Sequence, residues 1–183
     1  VIFVEIIMND PKFILNKKQL DITINRLCHQ LIENHSNFSK TVIVGLQPRG
    51  VFLANRLKES LTKINSKINI NIGELDITFY RDDFRRRDDI LIPKSTNLNI
   101  SLEDKKVIIV DDVLYTGRSV RSALDALLDF GRPSSVELLV LINRRLSRDL
   151  PIQPNYVGHT IDVVAKERVK VQWGKNESVI LTS

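Results

Sequence analysis

The sequence predicts an α/β domain built on a mostly parallel sheet, and three stretches carry that prediction. Residues 107–110, Val-Ile-Ile-Val, are a β-branched apolar run too short for a helix and too apolar for a surface edge, as expected of a strand buried on both faces. Asp111 and Asp112 end this strand; a short turn follows, then Val120, Ala123, Leu124, Leu127 and Leu128 at helical spacing. Residues 41–47 repeat the arrangement. They lead into the turn Gln47-Pro48-Arg49-Gly50 and a helix marked by Val51, Phe52, Leu53, Leu57, Leu61 and Ile64. Gly131 and Pro133 close the later helix, and residues 136–142 form a further buried strand.

At 183 residues with 43% hydrophobic content the chain fits one domain with a real core. A lone cysteine, Cys28, excludes an internal disulfide, and no run of eighteen apolar residues occurs, so a reduced, cytoplasmic setting is expected. Residues 1–7 lack the basic flank and small residues of a signal peptide; with Met8 as a native start they are a non-native extension, the alternative being a short extra strand. A net charge of +5 and a pI near 9.4 fit either a polyanionic small substrate or a nucleic acid.

The remaining elements follow in order. Leu20, Ile24, Leu27, Leu31 and Ile32 predict a helix over 17–34, with Asn25, Arg26, His29, Gln30 and Glu33 on its polar face. Cys28 falls on the apolar stripe and makes no nucleophile pair with His29, since consecutive helical residues point about 100° apart. Residues 72–80 alternate as a strand. In residues 81–89 eight of nine side chains are charged, with both signs mixed, and residues 81–104 are expected to form a mobile lid loop. Short alternating segments then occupy residues 156–158, 161–164 and 169–173. His35 and His159 are expected at the surface, and no protein-built metal site is expected from three scattered histidines.

The chemistry starts from the thirteen residues 107–119. Free backbone amides and the positive end of the dipole at a helix N-terminus suit the Thr116-Gly117-Arg118-Ser119 turn to a phosphate monoester. Asp111 and Asp112, one turn away, would repel a phosphate but accept hydrogen bonds from vicinal hydroxyls. A sugar phosphate satisfies both halves. The competing reading is an acidic cap before an ordinary helix. Arg49, with its fixed charge and planar donor fork, suits a pyrophosphate, and Gly50 is expected to permit an unusual backbone beside it. A plain strand-to-helix turn is the alternative there.

The stretch 107–119 resembles the 5-phosphoribosyl-1-pyrophosphate (PRPP) signature of type I phosphoribosyltransferases. With Gly73-Glu74-Leu75-Asp76-Ile77-Thr78-Phe79-Tyr80-Arg81-Asp82-Asp83, Gly131-Arg132-Pro133-Ser134-Ser135, Leu150-Pro151-Ile152 and Tyr156-Val157-Gly158, the wider chain is similar to the PyrR family, pyrimidine-operon attenuation regulators that are also uracil phosphoribosyltransferases. The resemblance implies a central, mostly parallel sheet flanked by helices, a lid loop, and a small hood over the base drawn from residues 152–183. It implies PRPP, uracil and UMP as ligands, Mg²⁺ carried mainly by PRPP, and a homo-oligomer, a dimer or an assembly of dimers. Leader RNA of the pyrimidine operon is the implied macromolecular partner.

By the same resemblance, Asp111, Asp112 and Arg49 are the catalytic residues. Pro48, Arg49, Gly50, Lys94, Asp111, Asp112, Val113, Leu114, Tyr115, Thr116, Gly117, Arg118, Ser119, Arg144 and Val169 bind PRPP or the nucleotide, Val169 at the base. Arg26, His29, Arg145 and Arg148 fall at or near RNA-contacting positions. The chain departs from the family pattern in three places: Pro48 stands where threonine is usual, the turn 143–148 is one residue longer, and Gln153 replaces a common arginine. A regulator with residual catalysis, or a phosphoribosyltransferase for a purine or orotate, are the alternative functions.

Overall fold

The computed structural model describes residues 12–82, 96–163 and 167–182. Residues 1–7, Met8 and Lys94 therefore lie outside the described residues. The elements are β1 (Lys12–Leu15), α1 (Lys17–His35), β2 (Thr41–Leu46), α2 (Gly50–Ile64), β3 (Asn71–Leu75), β4 (Lys106–Leu114), α3 (Arg118–Leu127), β5 (Ser135–Arg144), β6 (Tyr156–Ile161), β7 (Arg168–Gln172) and β8 (Ser178–Thr182). Five strands form one parallel sheet in the order β3-β2-β4-β5-β6, and β1-β8-β7 form a separate antiparallel sheet.

Alternation along the parallel strands divides the core in two. Ile43, Ile108, Val110, Leu139 and Leu141 pack on one face against Leu20, Ile24, Leu27 and Leu31 of α1 and Leu53, Leu57 and Leu61 of α2. Val42, Val44, Val107, Ile109, Leu138 and Val140 pack on the other against Val120, Ala123 and Leu127 of α3. The near-continuous apolar runs are the consequence of this two-sided burial. Helix α1 starts at a capping box, in which Asn16 Oδ1 accepts from the Gln19 amide and Gln19 Oε1 from the Asn16 amide, each at 2.9 Å. Cys28 is buried, as its stripe predicted, and burial pushes its thiol up to about 12. No described helix is long and apolar enough to cross a membrane.

Several expectations are corrected here. Strand β3 ends at Leu75 instead of running to 80, because the Asp76 carboxylate accepts from the Thr78 amide at 2.8 Å and its hydroxyl at 2.5 Å, turning the chain into a short 3₁₀ segment, Thr78–Tyr80. Residues 96–104, assigned to the lid, are anchored: Glu74 and Asn97 exchange two backbone hydrogen bonds of 3.0 Å, and Leu98 and Leu102 are buried. Residues 156–161, expected in the hood, are the fifth strand of the main sheet, paired with β5 from Leu139↔Tyr156 to Arg144↔Ile161. The hood instead recruits β1, which no sequence pattern announced.

His35 is buried, not at the surface. It ends α1 over the start of the sheet, where Nε2 lies 3.1 Å from Glu137 Oε2 and Nδ1 3.2 Å from Thr41 Oγ1. The Tyr156 hydroxyl donates to Glu137 at 2.6 Å and accepts from Asn34 Nδ2 at 3.0 Å. Burial lowers the His35 pKa in spite of Glu137, and burial followed by the bond to Glu137 pushes Tyr156 up to about 12. A neutral imidazole and an intact phenol thus close a polar cluster in which each buried group has a partner. Tyr156→Phe should lower stability by about 1–2 kcal/mol, read as a lower urea midpoint at unchanged slope; an unchanged midpoint would show that the hydroxyl contributes nothing.

Candidate functional site

The strand order sets the position of the site. From β2 the chain passes through α2 to β3 on one side, then returns so that β4 lies on the other side of β2. The crevice beyond the carboxyl ends of β2 and β4 is therefore the topological switch point where ligands bind in open α/β sheets. Strand β4 is hydrogen-bonded to β2 only as far as Gly45↔Val110, while its pairing with β5 continues to Leu114↔Asn143. Asp111 and Asp112 are thus inside the strand rather than at its end. They occupy the stretch with a neighbour on one side only.

Two turns flank the crevice. The turn Gln47–Arg49 follows β2 with a cis Gln47-Pro48 peptide, and Gly50 opens α2. Gly50 is needed for contact and not for backbone freedom: its φ is not positive, and a Cβ would lie 2.2 Å from the Val110 carbonyl oxygen. The second turn follows β4. Gly117, at φ +92°, caps α3 in the left-handed region without a side chain to bond the first turn, and the Arg118 amide donates weakly to Thr116 Oγ1 at 3.4 Å.

A cavity of about 510 Å³ is lined by Pro48, Arg49, Arg81, Asp111, Asp112, Val113, Tyr115, Ser119, Arg144, Arg168 and Val169, among others. A second, of about 350 Å³, runs over Val113–Val120 and shares Arg81, Asp111, Val113, Tyr115 and Ser119 with the first. Burial, then the neighbouring Asp112 carboxylate, pushes Asp111 up to about 8. Burial raises Asp112 as well, with Arg49 pulling the other way. Asp112 Oδ2 is buried without a hydrogen-bond partner among the described residues. Arg144 is buried over the Tyr115 ring, its guanidinium carbon 4.1 Å from the centroid, and its Nε and Nη2 likewise have no partner. Buried acceptors and donors left open in one cleft are groups that a polar ligand would satisfy.

The structure brings most of the expected residues together. Thr116 and Gly117 lie on the second cavity with Arg118, which forms ion pairs to Asp82 at 2.7 Å and Asp149 at 3.2 Å. Leu114 turns its side chain into the second apolar core, so that only its backbone is left to the cleft, and Gly50 lies beneath the cleft instead of lining it. Arg81 and Arg168 were missed. Arg81 sat inside a run of charges that reads as a loop tip, and the signal was its place just beyond the end of β3, on the carboxyl side of the sheet. Arg168 adjoins Val169 and had no signal of its own.

The basic residues expected on a nucleic-acid face meet along the edge strand β6. Arg26 donates from α1 to the carbonyls of Val157 at 3.0 Å and Gly158 at 2.5 Å, with His29 exposed one turn on. Arg145 holds Asp162, just past β6, through two bonds of 3.0 and 2.5 Å. Arg148 lines a cavity of about 470 Å³ together with Arg145 and Val157, and donates to the Tyr115 carbonyl and, at 2.6 Å, to Asn143 Oδ1, behind the turn 116–119.

Comparison with known proteins agrees with this layout. The model of the phosphoribosyl transferase domain matches residues 12–173. The chain is 41% identical over 167 residues to the bifunctional protein PyrR of Bacillus subtilis, covering 90% of this chain and 91% of the relative. It is 44% identical over 158 residues to that of Desulfosudis oleivorans, covering 86% and 87%. Among solved structures it resembles hypoxanthine phosphoribosyltransferases from Trypanosoma cruzi (TM-score 0.72, 13% identity, 94% and 91% coverage) and Staphylococcus aureus (0.66, 22%, 82% and 77%). At those identities the likeness is one of fold.

The raised Asp111 makes a pH prediction. Its folded pKa of about 8 lies above its ordinary value of 3.8, so the ligand-free fold holds this proton more tightly than the unfolded chain does. That stabilisation is complete below about pH 4 and is lost as pH rises through 8. The melting temperature of the free protein should fall between pH 5 and 8.5, and Asp111→Asn, neutral throughout, should flatten the decline; an equal decline in the variant would remove Asp111 as its source.

Proposed function

Since this chain belongs to the phosphoribosyl transferase family and, within it, to the bifunctional PyrR proteins, which join uracil phosphoribosyltransferase activity to regulation, we propose that the switch-point cleft transfers ribose 5-phosphate from PRPP to uracil. The observation that carries this assignment of the site is the open acidic pair, Asp111 and Asp112, set beside the phosphate turn. In our reading the amides of 116–119 take the 5′-phosphate and the acids take the ribose diol. Arg49 and Arg81 neutralise the pyrophosphate, and Arg144 offers its two free donors to a ligand oxygen. Lys94, outside the described residues, is assigned to the pyrophosphate by resemblance alone.

Uracil N1 gives its electron pair to C1 as the C1–O bond breaks, and the bond electrons leave on pyrophosphate, which also takes the N1 proton. Charge develops at both ends of the broken bond, so arginines fixed around the leaving group favour the transition state over the bound substrate. Mg²⁺ would enter with PRPP, adding positive charge at the pyrophosphate, and the chain fits it: Asp112 Oδ2 is a buried acceptor without a partner among the described residues. Val169, buried beside the cleft on β7, supplies an apolar wall for the base.

RNA binding is assigned to the outer surface along β6, with Arg26, His29 and Arg145 as its basic groups and pyrimidine-operon leader RNA as the ligand. This second activity is compatible with the first, since it uses side chains other than those assigned to the cleft. Association into dimers is part of the same proposal: Phe79 and Leu128, 70% and 66% exposed, sit on neighbouring turns joined by the Tyr80–Asp129 hydrogen bond.

Asp112→Asn should reduce UMP formation at least about 100-fold at saturating uracil; turnover equal to the parent would refute the ribose role. In a panel of bases offered with PRPP, uracil should be consumed and hypoxanthine, guanine and orotate left, whereas turnover of a purine or of orotate alone would reassign the base. Arg26→Ala should weaken leader-RNA binding about tenfold and lower its salt dependence, and unchanged affinity would move the RNA face elsewhere.

A further inference from the structure

We propose that Arg148 is a positioning residue of the phosphate turn, holding the Tyr115–Thr116 peptide so that its amide faces the ligand. The inference rests on the reading of residues 116–119 as the 5′-phosphate site. Its basis is the segment after β5, which wraps the back of the turn. Arg148 Nη1 donates to the Tyr115 carbonyl, and the amides of Asp149 and Leu150 donate to the Thr116 carbonyl at 3.0 and 3.2 Å. Ile152 packs behind Gly117, where a Cβ would lie 3.3 Å from its Cδ1.

A trans peptide is planar, with its C=O and N–H on opposite sides. Fixing the Tyr115 carbonyl rearward therefore aims the Thr116 N–H forward, and fixing the Thr116 carbonyl does the same for the Gly117 N–H. The first of these peptides has a side chain as its holder, the second only backbone. Arg148 is itself held, with Nη2 on Asn143 Oδ1 at 2.6 Å, at the end of the strand that pairs with β4 throughout its length. The orientation of the turn is thereby referred to the rigid sheet. Without Arg148 the Tyr115 peptide, next to a glycine-capped turn, is free to rotate its carbonyl toward the ligand, where it would face the phosphate oxygens with its own lone pairs.

This role predicts a loss confined to the phosphate. Affinities for UMP and for uridine, measured by titration calorimetry, separate the phosphate contribution from the rest. Arg148→Met should weaken UMP about tenfold while uridine affinity and melting temperature stay near the parent values. Asn143→Ala should shift UMP in the same direction by less. Arg148→Lys, which keeps the charge and can reach one acceptor, should recover part of the loss. UMP affinity within twofold of the parent in Arg148→Met, or an equal loss for uridine, would overturn the positioning role. A parent that binds UMP no better than uridine would instead sink the phosphate-turn reading, and this inference with it.

Discussion

Strand β4 outruns one of its neighbours. Its hydrogen bonds to β2 stop at Val110 while those to β5 continue to Leu114, so Asp111 and Asp112 stand on a rigid strand beside an open crevice. A loop could carry the same two acids, but not at fixed distances from the turns on either side. Gly50 shows how close the construction is, since the first turn of α2 sits directly on the Val110 carbonyl and leaves no room for a side chain. The turn 47–50, the acids and the turn 116–119 are thus set by one sheet register, and this is the preorganisation that a reaction governed by orientation and charge requires.

The electrostatics of the cleft follow from that geometry. Four arginines, Arg49, Arg81, Arg144 and Arg168, surround two aspartates. Burial raises both acids, the neighbouring Asp112 carboxylate raises Asp111 further, and Arg49 pulls Asp112 the other way, so a cation or a hydrogen-bonding diol in the cleft would favour the ionised pair. Arg144 is the counterpart: a buried guanidinium resting on Tyr115, with two donors open. Each unsatisfied group costs stability in the free protein, and a ligand that meets both the acid and the arginine relieves that cost at once.

How much of this was legible in the sequence depends on the kind of signal. The helices and the strands β2, β4 and β5 were written in apolar periodicity, because a strand covered on both faces has no alternative pattern to show. The strand-to-helix turn 116–119 was readable because glycine and hydroxyl residues occur together between an apolar run and a helical stripe. Strands β1 and β6 were less legible. Strand β1 is short and has one buried residue, Leu15, while β6 is an edge strand with a mixed pattern, so its place in the main sheet comes from its partner β5 and not from its composition. His35 was misread because its burial depends on Glu137 and Tyr156, more than a hundred residues away. Arg148 was placed near RNA-contacting positions by resemblance, and its bonds to the Tyr115 carbonyl and Asn143, which depend on how the turn packs, had no signal in the sequence.

The most direct test of the central claim is a crystal structure of the protein with UMP bound. The phosphate should be within hydrogen-bonding distance of the amides of residues 116–119, the ribose diol on Asp111 and Asp112, and the base against Val169. A nucleotide whose phosphate sits away from that turn, or whose diol faces solvent while the two acids bond to protein groups, would contradict the account.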